Sequence, residues 1–310
     1  MEYISKTTRL AALLIVGVLI SLNTNAQTFL TNGLIAYFPF NGNANDASGN
    51  AHNGTAFDTT LVQDQFGFSN SAFGFNEVSS YVEVMNYLPD MPSASFSVWV
   101  LSDHLPTAAE YYHEIFGDGD TTPDRDFRLE FQWNIGLSFF CKDNSTATIP
   151  LPLLRTNSWM NVIGVADATA GKMYLWLDGA PVATNSFTGN ANVGYHYRFN
   201  IGRVSDGVHI GRYFAGRIDN LRIYNRALSS NEVAQLYAIE SAPILNVRKA
   251  VYLDSSNLWV GSNYQVQVSS DLVNWTNFGT VFSATTNTWR TTNYWDVANW
   301  NQLFFRLQQQ

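Results

Sequence analysis

Gly33-Leu34-Ile35-Ala36-Tyr37-Phe38-Pro39-Phe40-Asn41-Gly42-Asn43-Ala44-Asn45-Asp46-Ala47-Ser48-Gly49-Asn50 is the stretch on which the reading of the fold turns. Leu34 to Phe40 is a short run of aliphatic and aromatic residues, the composition of a half-buried strand. Pro39 has no N–H to give to a ladder, so the strand lies at a sheet edge or ends there. The loop from Asn41 to Asn53 is rich in Asn and Gly, which supply turn geometry, and Asp46 is its only acid.

Similar runs recur along the chain at Tyr81 to Met85, Ser95 to Leu101, Phe127 to Trp133, Trp159 to Val165 and Lys172 to Leu177. Gly, Asn and Asp clusters separate them and helical periodicity is nearly absent, the pattern of an all-β sandwich. Asp178-Gly179 reads as a hairpin turn, because Gly accepts positive φ without a Cβ clash. One helix is predicted, from Ser229 to Tyr237. Ser229 and Glu232 form a capping box at its start, and Val233, Leu236 and Tyr237 share a face.

The 310 residues suffice for one or two domains. Charged residues are only 14% against 46% hydrophobic, so the polar surface must come from Asn, Ser, Thr and Gly. A net charge of −8 with no block of Lys or Arg argues against nucleic acid as a partner. Lys6 and Arg9, an apolar run from Leu10 to Leu22 and the small residues before Gln27 have the layout of a signal peptide, residues 1–26, cleaved after Ala26. As a helix that run rises only ~20 Å against a ~30 Å hydrocarbon core, so a transmembrane anchor is not expected. Cys141 is the only cysteine and lies in a strand-like run, where a buried, inert thiol is expected.

Ser241-Ala242-Pro243 reads as a linker to a second unit, residues 244–310, with strands at Tyr264 to Val268, Thr280 to Phe282 and Leu303 to Leu307. Trp259, Trp275, Trp289, Trp295 and Trp300 concentrate there. They serve either as a stacking platform for sugars or as the core of a small domain with few other large residues.

The opening stretch, continued to His52-Asn53-Gly54-Thr55, resembles the start of the laminin-G-like jelly-roll family of the concanavalin A type. Phe214-Ala215-Gly216-Arg217-Ile218-Asp219-Asn220-Leu221-Arg222-Ile223-Tyr224-Asn225-Arg226-Ala227-Leu228-Ser229 is similar to its closing strand and exit turn. Tyr81 to Val84, Phe96 to Val100 and Ser158 to Val162 fall where that family has inner strands. The resemblance implies an all-β protein: a concanavalin A-like jelly-roll sandwich over residues 28–240, with a small C-terminal β-sandwich over 244–310. The latter is similar to short β-modules of bacterial exoproteins, which implies an exported, extracellular or cell-envelope protein.

Period-two alternation puts Asp219 on one face with Leu221 and Ile223, where a carboxylate needs a partner: Arg203, Arg217, backbone donors or a hard cation. The family commonly holds a structural Ca2+ where its first and last strands meet, so the resemblance implies Asp46 and Asp219 as ligands, with Asn43 and Asn50 as weaker ones. The alternative is an Asx-turn at Asp46 and a salt bridge at Asp219. Asp118 to Asp126 fails as an EF-hand, since Pro123 and Leu129 occupy the positions of its Gly and Glu. For a sugar, Trp133, Trp176, Tyr195 and Tyr197 are the candidate stacking residues.

Glycoside hydrolases on this type of sandwich alternate acids along one strand, and no Glu-x-Asp-x-x-Glu run exists here. Glu130 stands alone in its run, Glu114 has no strand partner before Asp118, and the five histidines show no metal-ligand spacing. The reading is a secreted, non-catalytic protein that binds a glycan or cell-surface component through a calcium-stabilised jelly roll. The alternatives are an adhesive protein with a protein partner and a polysaccharide-active enzyme.

Overall fold

Every strand pair in the described chain is antiparallel apart from one isolated bridge between Ser102 and Thr156. The computed structural model describes residues 28–84, 88–118, 127–141, 145–191, 199–203, 212–242, 250–251, 253–290, 295–296 and 302–310. The expected signal segment, Tyr195, Tyr197, Trp300 and most of the 118–126 loop lie outside the described residues. Contacts divide the chain into two units, residues 1–242 and 243–310.

The first unit opens with helix α1 (Thr28–Thr31) and strands β1 (Leu34–Phe38), β2 (Gly54–Phe57), β3 (Thr60–Val62), β4 (Ala72–Asn76) and β5 (Tyr81–Val84). Then come β6 (Ala94–Ser102), β7 (Tyr112–Asp118), β8 (Arg128–Gln132), β9 (Gly136–Cys141) and β10 (Ser145–Pro150). After these follow β11 (Met160–Asp167), β12 (Lys172–Leu177), β13 (Ala180–Ser186), β14 (Phe199–Ile201), β15 (Ala215–Tyr224) and helix α2 (Ser230–Ser241). One sheet runs β13-β12-β11-β6-β15-β4-β3 with β1 also on β15, and the other runs β10-β9-β8-β7-β14-β5-β2. The all-β expectation holds. The strand ends at Phe38, just before Pro39, and Asp178 and Gly179 both take positive φ in the turn between β12 and β13.

Alternating residues of the two sheets meet in one core, among them Phe38, Phe96, Phe116, Phe131 and Phe139. The rings of Phe96 and Phe139 meet edge to face with centroids 4.9 Å apart. Cys141 is buried in this core. Gly164 is required beneath Phe96, because a Cβ there would run into that ring.

α2 covers the outer face of the eight-stranded sheet. Its capping box forms as predicted: Ser229 Oγ accepts from Glu232 N at 3.3 Å, and Glu232 Oε2 accepts from Ser229 N at 2.8 Å. Val233 and Leu236 pack with Tyr237 against Ile163, Val165 and Trp176. Burial contributes about 1.5–3 kcal/mol for each large apolar side chain. The helix runs four residues past Tyr237, to Ser241, because Glu240 is a buried anchor. Its carboxylate accepts from Arg222 Nε at 2.7 Å, Ser97 Oγ at 3.1 Å and Trp99 Nε1 at 3.2 Å. Burial pushes its pKa up, and the Arg222 guanidinium pulls against that.

The expected alternation along β15 fails at Asn220. Asp219 pairs with Trp99 but Arg222 pairs with Ser97, so the strand is bulged between them, and Asn220 takes φ +49°. The extra residue flips the face. Leu221 and Ile223 enter the core, while Asp219 shares the outer face with Trp99.

In the second unit the three-stranded sheet is built from the ranges Asn263–Ser269, Thr276–Ser283 and Phe304–Gln309, close to the predicted runs. Two of its described tryptophans differ in setting. Trp289 stacks on Phe282 at 4.3 Å beside a small core, whereas Trp259 is 73% exposed.

Candidate functional site

The connections from β4 to β5 and from β6 to β7 both carry the chain from the eight-stranded sheet to the seven-stranded one. Glu77 lies in the first, His104 and Glu110 lie in the second, and His113 is the second residue of β7. His113 pairs with Phe131, a core residue, so its ring faces into the end of the sandwich and is buried. His113 Nε2 stands 3.0 Å from Glu77 Oε1 and 3.7 Å from Glu110 Oε2. His104 Nε2 stands 3.3 and 3.9 Å from the same two atoms. Burial favours the neutral His113 ring and lowers its pKa, while the Glu77 carboxylate opposes that shift. Glu110 is held below its ordinary value by the Thr107 N–H, which it accepts at 2.7 Å. The scattered histidines of the sequence are thus partly gathered by the fold, contrary to expectation.

Next to this cluster is an aromatic edge. Tyr111, directly before β7, is 50% exposed, and Trp133, directly after β8, is 39% exposed. Their rings meet edge to face at 5.3 Å, and Trp133 N donates to Tyr111 O at 2.9 Å. Tyr111 holds φ +64°, a conformation that costs a bulky residue on the order of 1–3 kcal/mol. The folded 107–111 turn maintains it: Glu110 N and Tyr111 N both donate to Thr107 O. Tyr112 follows on the outer face of its sheet, with the Arg212 guanidinium 4.2 Å over its ring.

That outer face holds a second polar group that the sequence reading missed. Glu114 pairs across strands with Glu130, and both are buried. The signal was the equal offset of the two acids from the turns bounding β7 and β8, which a search along single strands cannot see. Glu130 Oε1 accepts from Arg128 at 3.1 Å and Gln132 at 2.7 Å. Among the described residues neither oxygen of Glu114 meets a donor. Burial drives the Glu114 pKa well up, against the pull of Arg128, and the neighbouring Glu130 carboxylate adds to the rise. Gly117 lies directly beneath the Glu114 carboxyl, in space that a Cβ would take.

The calcium ligands implied by the resemblance do not fit the cation. Asp46 already accepts four hydrogen bonds, from Tyr37 N, Ser48 N, Ser48 Oγ and His52 N. Burial opposes ionisation there, but these donors together hold its pKa below the ordinary value. Asn43 Oδ1 accepts from Asn45 N, and Asn50 Nδ2 donates to the carbonyls of Leu34 and Ile35. Asp46 and Asn43 thus spend their side-chain oxygens on backbone N–H groups and the Ser48 hydroxyl. Asp219, on the opposite face from that expected, bonds to the N and Nδ2 of Asn220, and burial raises its pKa to about 8. Neither arginine expected beside it is its partner: Arg203 sits 3.8 Å from Glu83 and over the Tyr81 ring. Among the aromatic candidates, Trp133 is at the surface as required, while Trp176 is corrected, since it lies buried against α2.

Residues 76–234 match the family model of the concanavalin A-like lectin/glucanases superfamily. Among solved structures, domain 4 of AbnA, a GH43 extracellular arabinanase of Geobacillus stearothermophilus in complex with arabinotriose, aligns with TM-score 0.51 and 21% identity. The alignment covers 66% of this chain and 98% of that one. The binding domain of Paraclostridial Mosquitocidal Protein 1 gives TM-score 0.54 at 15% identity over 78% of this chain and 62% of that one. A Trypanosoma rangeli sialidase mutant displaying trans-sialidase activity gives 0.50 at 16%, over 67% of this chain and 33% of that one. At these identities the likeness is one of fold. No curated protein sequence matches. With two stacked antiparallel sheets and the family match over just over half its length, the chain belongs to the concanavalin A-like lectin/glucanases superfamily.

Proposed function

We propose that this is a secreted, non-catalytic carbohydrate-binding protein, and that the glycan stacks on the edge formed by Tyr111 and Trp133. The observation that carries the reading is this exposed pair of rings, fixed at 5.3 Å on the ends of paired strands. An aromatic ring gives a sugar an apolar face, and rigid strand ends lose little entropy on binding. Glu110 directly precedes Tyr111, with its side chain partly exposed and able to take hydrogen bonds from hydroxyls. The arabinotriose-bound neighbour supports a sugar as ligand, and the binding domain of the mosquitocidal protein supports a binding role. No helix among the described residues is long and apolar enough to cross a membrane.

Catalysis has one observation in its favour, the Glu114–Glu130 pair. A retaining glycosidase holds its carboxyls ~5 Å apart with the scissile bond between them. Here both side chains are fully buried, which leaves no space for substrate between them. The test is a panel of soluble and insoluble polysaccharides presented to the mature protein. Retention on at least one glycan is expected, without release of reducing sugar. Retention on none transfers the role to a protein partner, and sugar release makes the protein an enzyme.

A further inference from the structure

We infer that Glu77, His104, Glu110 and His113 form a binding site for one divalent transition-metal ion, with Zn2+ as the best-fitting species. The inference does not depend on the glycan reading, and its test has a separate readout.

The four donor atoms lie within 4.8 Å of one another. Four ligands at about 2.0–2.1 Å from a tetrahedral Zn2+ stand about 3.3 Å apart. The four nitrogen-to-oxygen separations across this cluster are 3.0, 3.3, 3.7 and 3.9 Å. Closure of the set around an ion therefore needs shifts of only a few tenths of an ångström along these edges. The mixture of two imidazoles and two carboxylates selects the metal. Ca2+ and Mg2+ prefer all-oxygen sets, whereas nitrogen donors favour Zn2+ and its neighbours.

The placement also suits a metal. His113 is 1% exposed and presents Nε2 to the cluster, a fixed ligand at the base. The side chains of His104, Glu77 and Glu110 are 42%, 31% and 34% exposed, so the ion has a path in from solvent. The ligands come from both sheet-to-sheet crossings, and an ion there would tie together two connections and the start of β7. Two carboxylates at this spacing repel each other, and one cation relieves that repulsion. One feature limits affinity. Ligation through Nε2 puts the His113 proton on Nδ1, which is buried without a partner among the described residues. Metal sites that lack such support bind about 10- to 100-fold more weakly than those that have it.

The test uses untagged full-length mature protein, first stripped with chelator. Equilibrium dialysis against Zn2+ in excess Ca2+ is expected to give one Zn2+ per chain, and thermal melting is expected to show a rise in Tm on Zn2+ addition. His104→Ala, at an exposed position, keeps the metal-free Tm and is expected to weaken Zn2+ binding at least about tenfold and to remove the Tm rise. Co2+ should give the visible absorption of a four-coordinate site in wild type and lose it in His104→Ala. Less than one Zn2+ per chain in wild type, or undiminished binding in His104→Ala, would overturn the site.

Discussion

Glu240, near the end of α2, holds Arg222 of β15 through a 2.7 Å bond between Oε1 and Nε, and both side chains are largely buried. The Arg222 guanidinium also lies 3.6 Å over the Tyr37 ring, so the pair joins the closing helix, the closing strand and the first strand. Removing one member leaves the other charge buried and alone. Glu240→Ala is expected to lower stability by about 3–5 kcal/mol in urea unfolding, with Glu240→Gln losing less because it keeps an acceptor. A change under about 1 kcal/mol for Glu240→Ala would show that the helix is held by its apolar face alone.

Asp219 gives the protein a pH dependence of definite sign. Its pKa in the folded state, about 8, lies above the ordinary 3.8. Between those values the unfolded chain has lost the proton and the folded chain keeps it, so stability falls as pH rises through this window. Asp219→Asn removes that loss. Compared with wild type it should be equally stable near pH 4 and more stable by roughly 2 kcal/mol or more at pH 8. Parallel stability curves across that range would place the carboxylate's ordinary ionisation back in the folded state.

Glu114→Gln replaces a carboxyl that burial keeps protonated with a neutral amide of nearly the same shape. The variant should fold, match or exceed wild-type stability at pH 7, and gain on wild type as pH rises, since the raised pKa of Glu114 makes its ionisation a cost. Glycan retention should be unchanged. Loss of a hydrolytic activity on this substitution would identify the pair as catalytic instead.

Much of the fold was legible because it is local. Pro39 ended β1, Asp178-Gly179 turned β12 into β13, and Ser229 with Glu232 capped α2, each through chemistry contained within a few residues. Period-two alternation failed at Asn220, where a bulge that no local pattern announces reversed the face of Asp219. The sites were harder, because they are made by register. Glu114 meets Glu130 only when β7 and β8 pair, and Glu77 reaches His113 across 36 positions through a sheet-to-sheet crossing. Trp133 was recognisable as an aromatic at a strand end. Tyr111 was not, because its exposure follows from a left-handed backbone set by Thr107 and Glu110.

The aromatic edge is the central claim, and calorimetric titration of the retained glycan into wild type, Trp133→Ala and Tyr111→Ala tests it most directly. Both rings are substantially exposed, so neither variant should lose its fold. Each is expected to weaken binding at least about tenfold, equivalent to ~1.4 kcal/mol, with Tm within a few degrees of wild type. Wild-type affinity in both variants would place the glycan elsewhere on the molecule and contradict the account.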